Sequence, residues 1–359
     1  MGVEELERLR RLIDEVDGEI LRLLKRRADL VKSIAEMKRR LNMPLIDLAR
    51  ETVVLTRVEE WARSQGLDVE LALIAFRAAM GLCKRAYREL EVAFLGPRGS
   101  FSEEAALKAF LGEGAKLRPI STIRGVFEVV ERGSADYGVV PIENSLEGGV
   151  GETLDLLAET ELKVCGEVEV RVSLNLIAKP GTRLEEVHTL LSHPHALGQC
   201  RSFLRATLRG VRVRTCSSTA EAVKRAVSSQ GVAAIGSALA ALIHGGEVLM
   251  KGVEDFKDNY TRFLVVGRER VERGVGCKTS VVFKLPNTPG ALHRALSPFA
   301  SRSINLTCIM SRPTRRRPWE YMFYLDFEGG GDERCVEALK ELEERALQVK
   351  VLGSYGKLG

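Results

Sequence analysis

Four short stretches of this chain hold the side chains that proton transfer and carboxylate binding require. Pro141-Ile142-Glu143-Asn144-Ser145 sets a carboxylate, an amide and a hydroxyl side by side after the apolar run Tyr137–Val140, and Gly148-Gly149 follows at once. Upstream lies Gly96-Pro97-Arg98-Gly99-Ser100-Phe101-Ser102-Glu103. Downstream lie Ser192-His193-Pro194-His195, with Gln199 close behind, and then Asn259-Tyr260-Thr261-Arg262-Phe263. Side chains at the C-terminal ends of strands in an α/β sheet line the crevice where ligands bind, and the chain is expected to turn there at Pro141. The glycine loop at 96–99 follows a strand and precedes a helix, as a phosphate loop would. It lacks the Lys-Ser/Thr ending and the G-x-G-x-x-G spacing, so a carboxylate on its amides and on the next helix N-terminus fits it better. Each residue alone has a plainer reading. Asn144 and Ser145 suit a turn, Ser192-His193 before Pro194 suits a helix start, and Thr261-Arg262 suits a strand residue beside a surface charge.

The elements that must position these groups come from 359 residues, 45% apolar and 29% charged, the profile of an ordinary globular protein of two or three domains. No apolar run approaches the roughly 20 residues of a membrane span. The charged N-terminus from Glu4 onward argues against a secretory leader, so the cytoplasm is the expected compartment. Seven cysteines stand singly (83, 165, 200, 216, 277, 308 and 335), which argues against a metal site or a disulfide framework. The net charge of +5 is spread out, and the one dense basic run, Arg315-Arg316-Arg317, sits beside Pro313 and Pro318 and reads as a solvated loop. Neither nucleic acid nor membrane is an expected partner.

Residues 4–40 repeat apolar side chains at three- and four-residue steps (Leu6, Leu9, Ile13, Val16, Ile20, Leu23, Leu30, Ile34), which predicts one long amphipathic helix. Two shorter helices follow, from Asp47 to about Ser64 and from Asp68 to about Leu90. Three helices alone bury little core, so association through the apolar stripe into at least a dimer is expected. From Glu91 to about Arg270, short β-rich runs (Tyr137–Val140, Val168–Ile177, Val232–Ile235, Arg262–Val266) alternate with helical patterns, an α/β texture that leaves open one domain or two lobes. After Gly274-Val275-Gly276 the order is βαββαβ, the ferredoxin-like split motif. The expected domains are 1–90, 91–270 and 271–359.

In the helical segment Arg27 and Lys38 lie 11 residues apart, about 20° from three full turns, so they share a helix face and could flank a small dianion. Arg10 lies about 26 Å from Arg27 and about 100° round the helix. One small ligand touching all three must therefore receive Arg10 from a second copy. Asp47, Arg50 and Glu51 add charge to the second helix, a spacing that solvated i,i+4 pairs also produce.

The four motifs, in this order, resemble those of the prephenate dehydratases. The resemblance implies an α/β central domain of two lobes in which Thr261 is the general acid, Arg262 meets a substrate carboxylate, and Asn144, Ser192 and Gln199 line the site, with Ser100, Ser102, Glu143 and Ser145 in support. Residues 4–90 are similar to the all-helical chorismate mutases. That similarity implies carboxylate binding by Arg10, Arg27 and Arg50, Lys38 and Glu51 facing the ether oxygen and hydroxyl, and Asp47 nearby. A Ser-like residue and a Gln or Glu usual on the third helix are replaced by Cys83 and Tyr87, which implies a weakened mutase. The C-terminal segment resembles the ACT domain at Asn287-Thr288-Pro289-Gly290-Ala291-Leu292 and Ser311-Arg312-Pro313. In such domains Gly290, Ala291, Leu292, Ser311, Arg312 and Pro313 would bind L-phenylalanine between subunits, although Met310 stands where a glutamate is usual.

The whole resembles the bifunctional P-proteins, which carry chorismate through prephenate to phenylpyruvate without a cofactor or a metal and answer to phenylalanine. Two other readings stand beside it. One is a dehydratase whose helices serve only dimerisation; the other is an amino-acid-binding regulator without catalysis.

Overall fold

A computed structural model describes residues 2–41, 48–85, 90–110, 113–268, 277–314 and 320–358. The chain divides into two compact units, Met1–Glu91 with Phe110–Lys116, and Val92–Ala109 with Leu117–Gly359. Among the described residues no helix is long and apolar enough to cross a membrane.

The first unit holds α1 (Gly2–Arg40), α2 (Leu48–Ser64) and α3 (Val69–Arg85). As the periodicity predicts, α1 is unbroken, and its stripe of Leu6, Leu9, Ile13, Val16, Ile20, Leu23, Leu30 and Ile34 lies exposed on the single chain.

The second unit begins with β1 (Glu91–Leu95), α4 (Phe101–Ala109), β2 (Lys116–Ile120), α5 (Ile123–Glu131), β3 (Tyr137–Asn144), β4 (Gly148–Gly149), α6 (Gly151–Glu159) and β5 (Lys163–Arg171). The chain then crosses to a second sheet built from β6 (Asn175–Ala178), β7 (Thr189–Ser192), α7 (Pro194–Gly198), α8 (Arg201–Thr207), β8 (Arg212–Thr215), α9 (Thr219–Ala226), β9 (Val232–Gly236), α10 (Ala238–His244) and β10 (Glu247–Met250). It returns to the first sheet as β11 (Tyr260–Gly267). The sheet orders are β2-β1-β3-β11-β5, with β4 on β3, and β10-β6-β9-β7-β8. The central segment is thus two lobes joined by two crossings. The expected strand Val168–Ile177 is divided at the first crossing, where Val172 to Leu174 leave one sheet for the other.

The third sheet, β13-β14-β12-β15, carries β12 (Lys278–Lys284), α11 (Ala291–Ser301), β13 (Leu306–Pro313), β14 (Tyr321–Glu328), α12 (Glu333–Arg345) and β15 (Gln348–Tyr355) in the anticipated βαββαβ order. Local signals set several helix starts. The hydroxyls of Thr122, Ser218 and Ser237 accept from the backbone of Gly125, Glu221 and Ala240, which satisfies amide groups that a helix leaves unpaired.

One face of the third sheet packs its own helices through Phe283, Phe299 and Leu325. The other face shares a core with the first lobe, where Val282, Met322, Tyr324, Leu352 and Tyr355 join Phe127, Ile142, Leu154 and Leu264. Removing that apolar area from water is what makes these two segments one unit.

Candidate functional site

Pro141 does not turn the chain. It lies within β3, which runs on to Asn144 and pairs antiparallel with β11, placing Thr261 opposite Asn144 and Arg262 opposite Glu143. Because successive strand side chains point to opposite faces, this register sorts the motif residues into two sets.

On the face toward the second lobe, Asn144 Nδ2 donates to Thr261 Oγ1 at 3.0 Å and to Asn259 Oδ1 at 2.7 Å. Asn144 Oδ1 accepts from the backbone of Leu146 and Glu147. Asn259, fully buried, donates to Gln199 Oε1 at 3.0 Å, and Gln199 Nε2 donates to Glu147 Oε1 at 3.0 Å. His195 pairs through Nδ1 with the other Glu147 oxygen. Burial, the neighbouring His195 and, in opposition, Glu147 set the His193 pKa, with a net shift below the usual histidine value. Thr261, Asn144 and Gln199 are therefore brought together, and Asn259, Glu147 and His195 join them. Asn259 stands two residues before Thr261, the strand period, so its place was open to sequence reasoning. For Glu147 and His195 only the folding of the second lobe supplies the contact.

The opposite face holds Glu143 and Arg262, and here the expectation of a substrate contact for Arg262 is corrected by the strand period. Its guanidinium, 5% exposed, meets Glu143 Oε1 at 2.8 Å, Glu167 Oε2 at 3.0 Å and Asp326 Oδ2 at 2.5 Å. Lys278 adds a second cation, at 2.8 Å from Glu167. Burial disfavours the guanidinium charge, but Asp326 and its neighbours more than offset this and raise the Arg262 pKa further. Ser280 links Asp326 with the hydroxyls of Tyr324 and Tyr355. Glu143 and Arg262 thus join the first lobe to the third sheet, away from Thr261.

The four expected serines lie in the framework. Ser192 is fully buried and donates to Ile235 O. Ser145 donates to Asp258 O and accepts from Tyr260 N, which ties the β3 turn to the start of β11. Ser100 donates to Leu95 O and accepts from Glu103 N, and Ser102 is buried beside it on α4. The loop before α4 is also closed to the carboxylate expected there at one amide, because Glu103 takes the Gly99 N–H at 2.5 Å. Gly99, at φ 82°, lies so close to Ala240 that a Cβ would come within 2.8 Å of its Cα, and Ser237 donates to Gly99 O. Loop and α10 thereby hold the two lobes together at this point.

In the helical unit Arg10 is exposed and paired with Glu7, and Arg27 lies over the Phe76 ring at 5.6 Å. Lys38 is half-buried on α1 and Cys83 is fully buried on α3. The backbone places Arg50 and Glu51 on α2, while their side chains, Asp47 and Tyr87 lie outside the described residues.

On the third sheet Gly290 takes φ 75° ahead of α11, with Ala291 opening the helix and Leu292 37% exposed. The β13 residues divide by alternation. Ser311 and Pro313 are exposed, whereas Arg312 pairs with Asp155 at 3.0 Å and Met310 lies against Gly149. A Cβ on Gly149 would meet the Met310 sulfur at 2.5 Å, so a glycine there permits the close approach.

A two-lobed α/β segment with a polar hydrogen-bonded cluster where the lobes meet, preceded by a helical unit and followed by a ferredoxin-like sheet, is the architecture of a multidomain enzyme, and the family matches give its class as a dehydratase. Its segments match the family models for chorismate mutase type II over residues 9–87, prephenate dehydratase over 92–271 and the ACT domain over 279–344. Over 359 residues the chain is 40% identical to the bifunctional chorismate mutase/prephenate dehydratase of Aquifex aeolicus, with 99% of both chains covered. It is 36% identical to the solved prephenate dehydratase of Arthrobacter aurescens in complex with L-Phe (TM-score 0.69, covering 75% of this chain and 90% of that one). A protein described as a novel type of quorum quenching acylase has a similar structure (TM-score 0.68, 31% identity, 74% of this chain and 98% of that one). The chain belongs to the family of bifunctional chorismate mutase/prephenate dehydratases.

Proposed function

We propose that Thr261 is the proton donor of the dehydratase reaction. The observation that carries this is the Asn144 hydrogen bond to Thr261 Oγ1. Because the oxygen accepts from Asn144, the hydroxyl proton is not used in that bond and can be given to a substrate. A threonine hydroxyl is a weak acid, and a donor already aimed at its oxygen stabilises the charge that grows as the proton leaves. In prephenate the proton goes to the ring hydroxyl, the C–O bond breaks and water departs. The ring carboxylate leaves as carbon dioxide, and the electrons of its bond to the ring complete the aromatic system. Phenylpyruvate is the product, and solvent returns the proton to Thr261.

In the helical unit the rearrangement of chorismate to prephenate is pericyclic and needs positioning and charge stabilisation rather than a nucleophile. Arg27, Lys38, Arg50 and Glu51 of one copy, with Arg10 of a second, supply this, and Asp47, Cys83 and Tyr87 complete the surroundings. The exposed stripe of α1 supports a homo-oligomer of at least two chains. L-Phenylalanine is the effector, received between copies at Gly290, Ala291, Leu292, Ser311 and Pro313. Arg312 supports the strand from behind, and the compartment is the cytoplasm.

The test is incubation of the purified chain with chorismate alone and, in parallel, with prephenate, resolving chorismate, prephenate and phenylpyruvate by chromatography. Phenylpyruvate from both substrates supports the reading. Untouched chorismate with prephenate consumed leaves the helices a dimerisation unit.

A further inference from the structure

Asn144, Asn259, Gln199 and Glu147 form a closed ring of hydrogen bonds. The Glu147 N–H donates to Asn144 Oδ1 at 3.1 Å, Asn144 Nδ2 to Asn259 Oδ1 at 2.7 Å, Asn259 Nδ2 to Gln199 Oε1 at 3.0 Å, and Gln199 Nε2 to Glu147 Oε1 at 3.0 Å. An amide is nearly symmetric in shape, so the network around it decides which end is oxygen. Here the network has four groups without that freedom, the Leu146 and Glu147 N–H groups, the Tyr260 carbonyl and the Glu147 carboxylate. A backbone N–H only donates, and an ionised carboxylate only accepts. The Leu146 and Glu147 N–H groups and the Tyr260 carbonyl set the Asn144 amide with its NH2 toward Asn259, Tyr260 and Thr261, and the Glu147 carboxylate turns Gln199 and Asn259 the same way round.

The ring also spans the lobes. Asn144 and Glu147 sit at the β3–β4 hairpin, Asn259 lies in the returning crossing, and Gln199 follows α7 of the second lobe. His195 of α7 holds the second Glu147 oxygen. At 38% side-chain exposure Glu147 lies at the surface where the lobes meet rather than in a core.

From this geometry we infer that Glu147 is a positioning residue of the dehydration. Its carboxylate completes the cross-lobe ring, and through Gln199 and Asn259 it holds the Asn144 amide where it donates to Thr261 Oγ1. The inference rests on Thr261 as the proton donor.

The experiment measures kcat and KM for prephenate, with melting temperatures, in Thr261→Val, Glu147→Ala, Glu147→Gln and the double variant Thr261→Val/Glu147→Ala of the full chain. Misplacing a reacting group by about 1 Å costs on the order of 10²-fold. Glu147→Ala is accordingly expected to lower kcat by about 10- to 100-fold with KM changed by less than about threefold. Glu147→Gln, whose amide oxygen still accepts from Gln199, should recover most of that loss. The double variant should be no slower than Thr261→Val, because both changes act on one proton. A kcat within about twofold of the parent in Glu147→Ala overturns the inference. So does a Glu147→Gln chain of parental melting temperature that is as slow as Glu147→Ala. Full dehydratase turnover by Thr261→Val would sink the proton-donor reading itself, whatever Glu147 does.

Discussion

Thr261 and Arg262 are neighbours in β11, yet they belong to different machinery. The Thr261 oxygen accepts a hydrogen bond from Asn144 on the face toward the second lobe, while the Arg262 guanidinium is buried against Glu143, Glu167 and Asp326 on the face toward the ACT sheet. Two consecutive residues thus connect the proposed proton donor to the domain interface through a single peptide unit.

Arg262→Met should destabilise the second unit by about 3–5 kcal/mol, because it leaves carboxylates buried without their cation. Arg262→Lys should recover only part of this, since one ammonium does not reproduce the fork that reaches three carboxylates. Chemical denaturation of the two variants against the parent chain checks both expectations.

The same cluster makes the interface sensitive to acid. Burial works to raise the Glu167 pKa, but Lys278 and Arg262 outweigh it, and the value lies below the ordinary 4.5. A carboxylate depressed in the folded state contributes stability that is complete above its unfolded value and is lost as pH falls through the folded one. Melting temperature followed downward from pH 6 should fall below about pH 4.5, and Glu167→Gln should flatten that part of the curve.

Gly353 of β15 sits where a Cβ would lie 2.3 Å from the Val164 carbonyl oxygen of β5, a backbone atom that cannot swing aside. Gly353→Ala should therefore cost about 1–3 kcal/mol by forcing the ACT sheet off the first lobe. Comparison with Gly331→Ala separates the contact from mere loss of a glycine, because Gly331 has nothing within 4 Å and no left-handed φ.

Burial first, and then nearby carboxylates, push Cys200, Cys308 and Cys335 each up to about 12. At pH 8 only about 10⁻⁴ of each would be thiolate, the reactive form. Iodoacetamide followed by peptide mass spectrometry should leave these three unmodified in folded protein and alkylate them in urea.

Lys38→Ala should abolish or strongly reduce chorismate turnover while prephenate is still consumed, because Lys38 lies on α1 of the helical unit. Equal turnover of chorismate by the variant and the parent would remove Lys38 from the mutase reading.

How much of this was legible in the sequence depended on the range of the forces involved. The unbroken α1, the α/β alternation and the βαββαβ order of the last sheet all follow from local periodicity and capping, and the structure has them where the pattern put them. The motif residues were visible as a set, but adjacency in the chain misled at Glu143-Asn144 and Thr261-Arg262. Such pairs look like joint binding groups, and the pleat sends their members to opposite faces. Tertiary structure alone decided the rest. It ran Pro141 on into β3, divided 168–177 between two sheets, and carried His195 and Gln199 of α7 and its end to Glu147 of the β3–β4 hairpin. It also brought Asp326, 64 residues from Arg262, to the buried guanidinium. Periodicity reports which face of an element is buried. Which element covers that face, and with what charge, is settled only when the sheets pack.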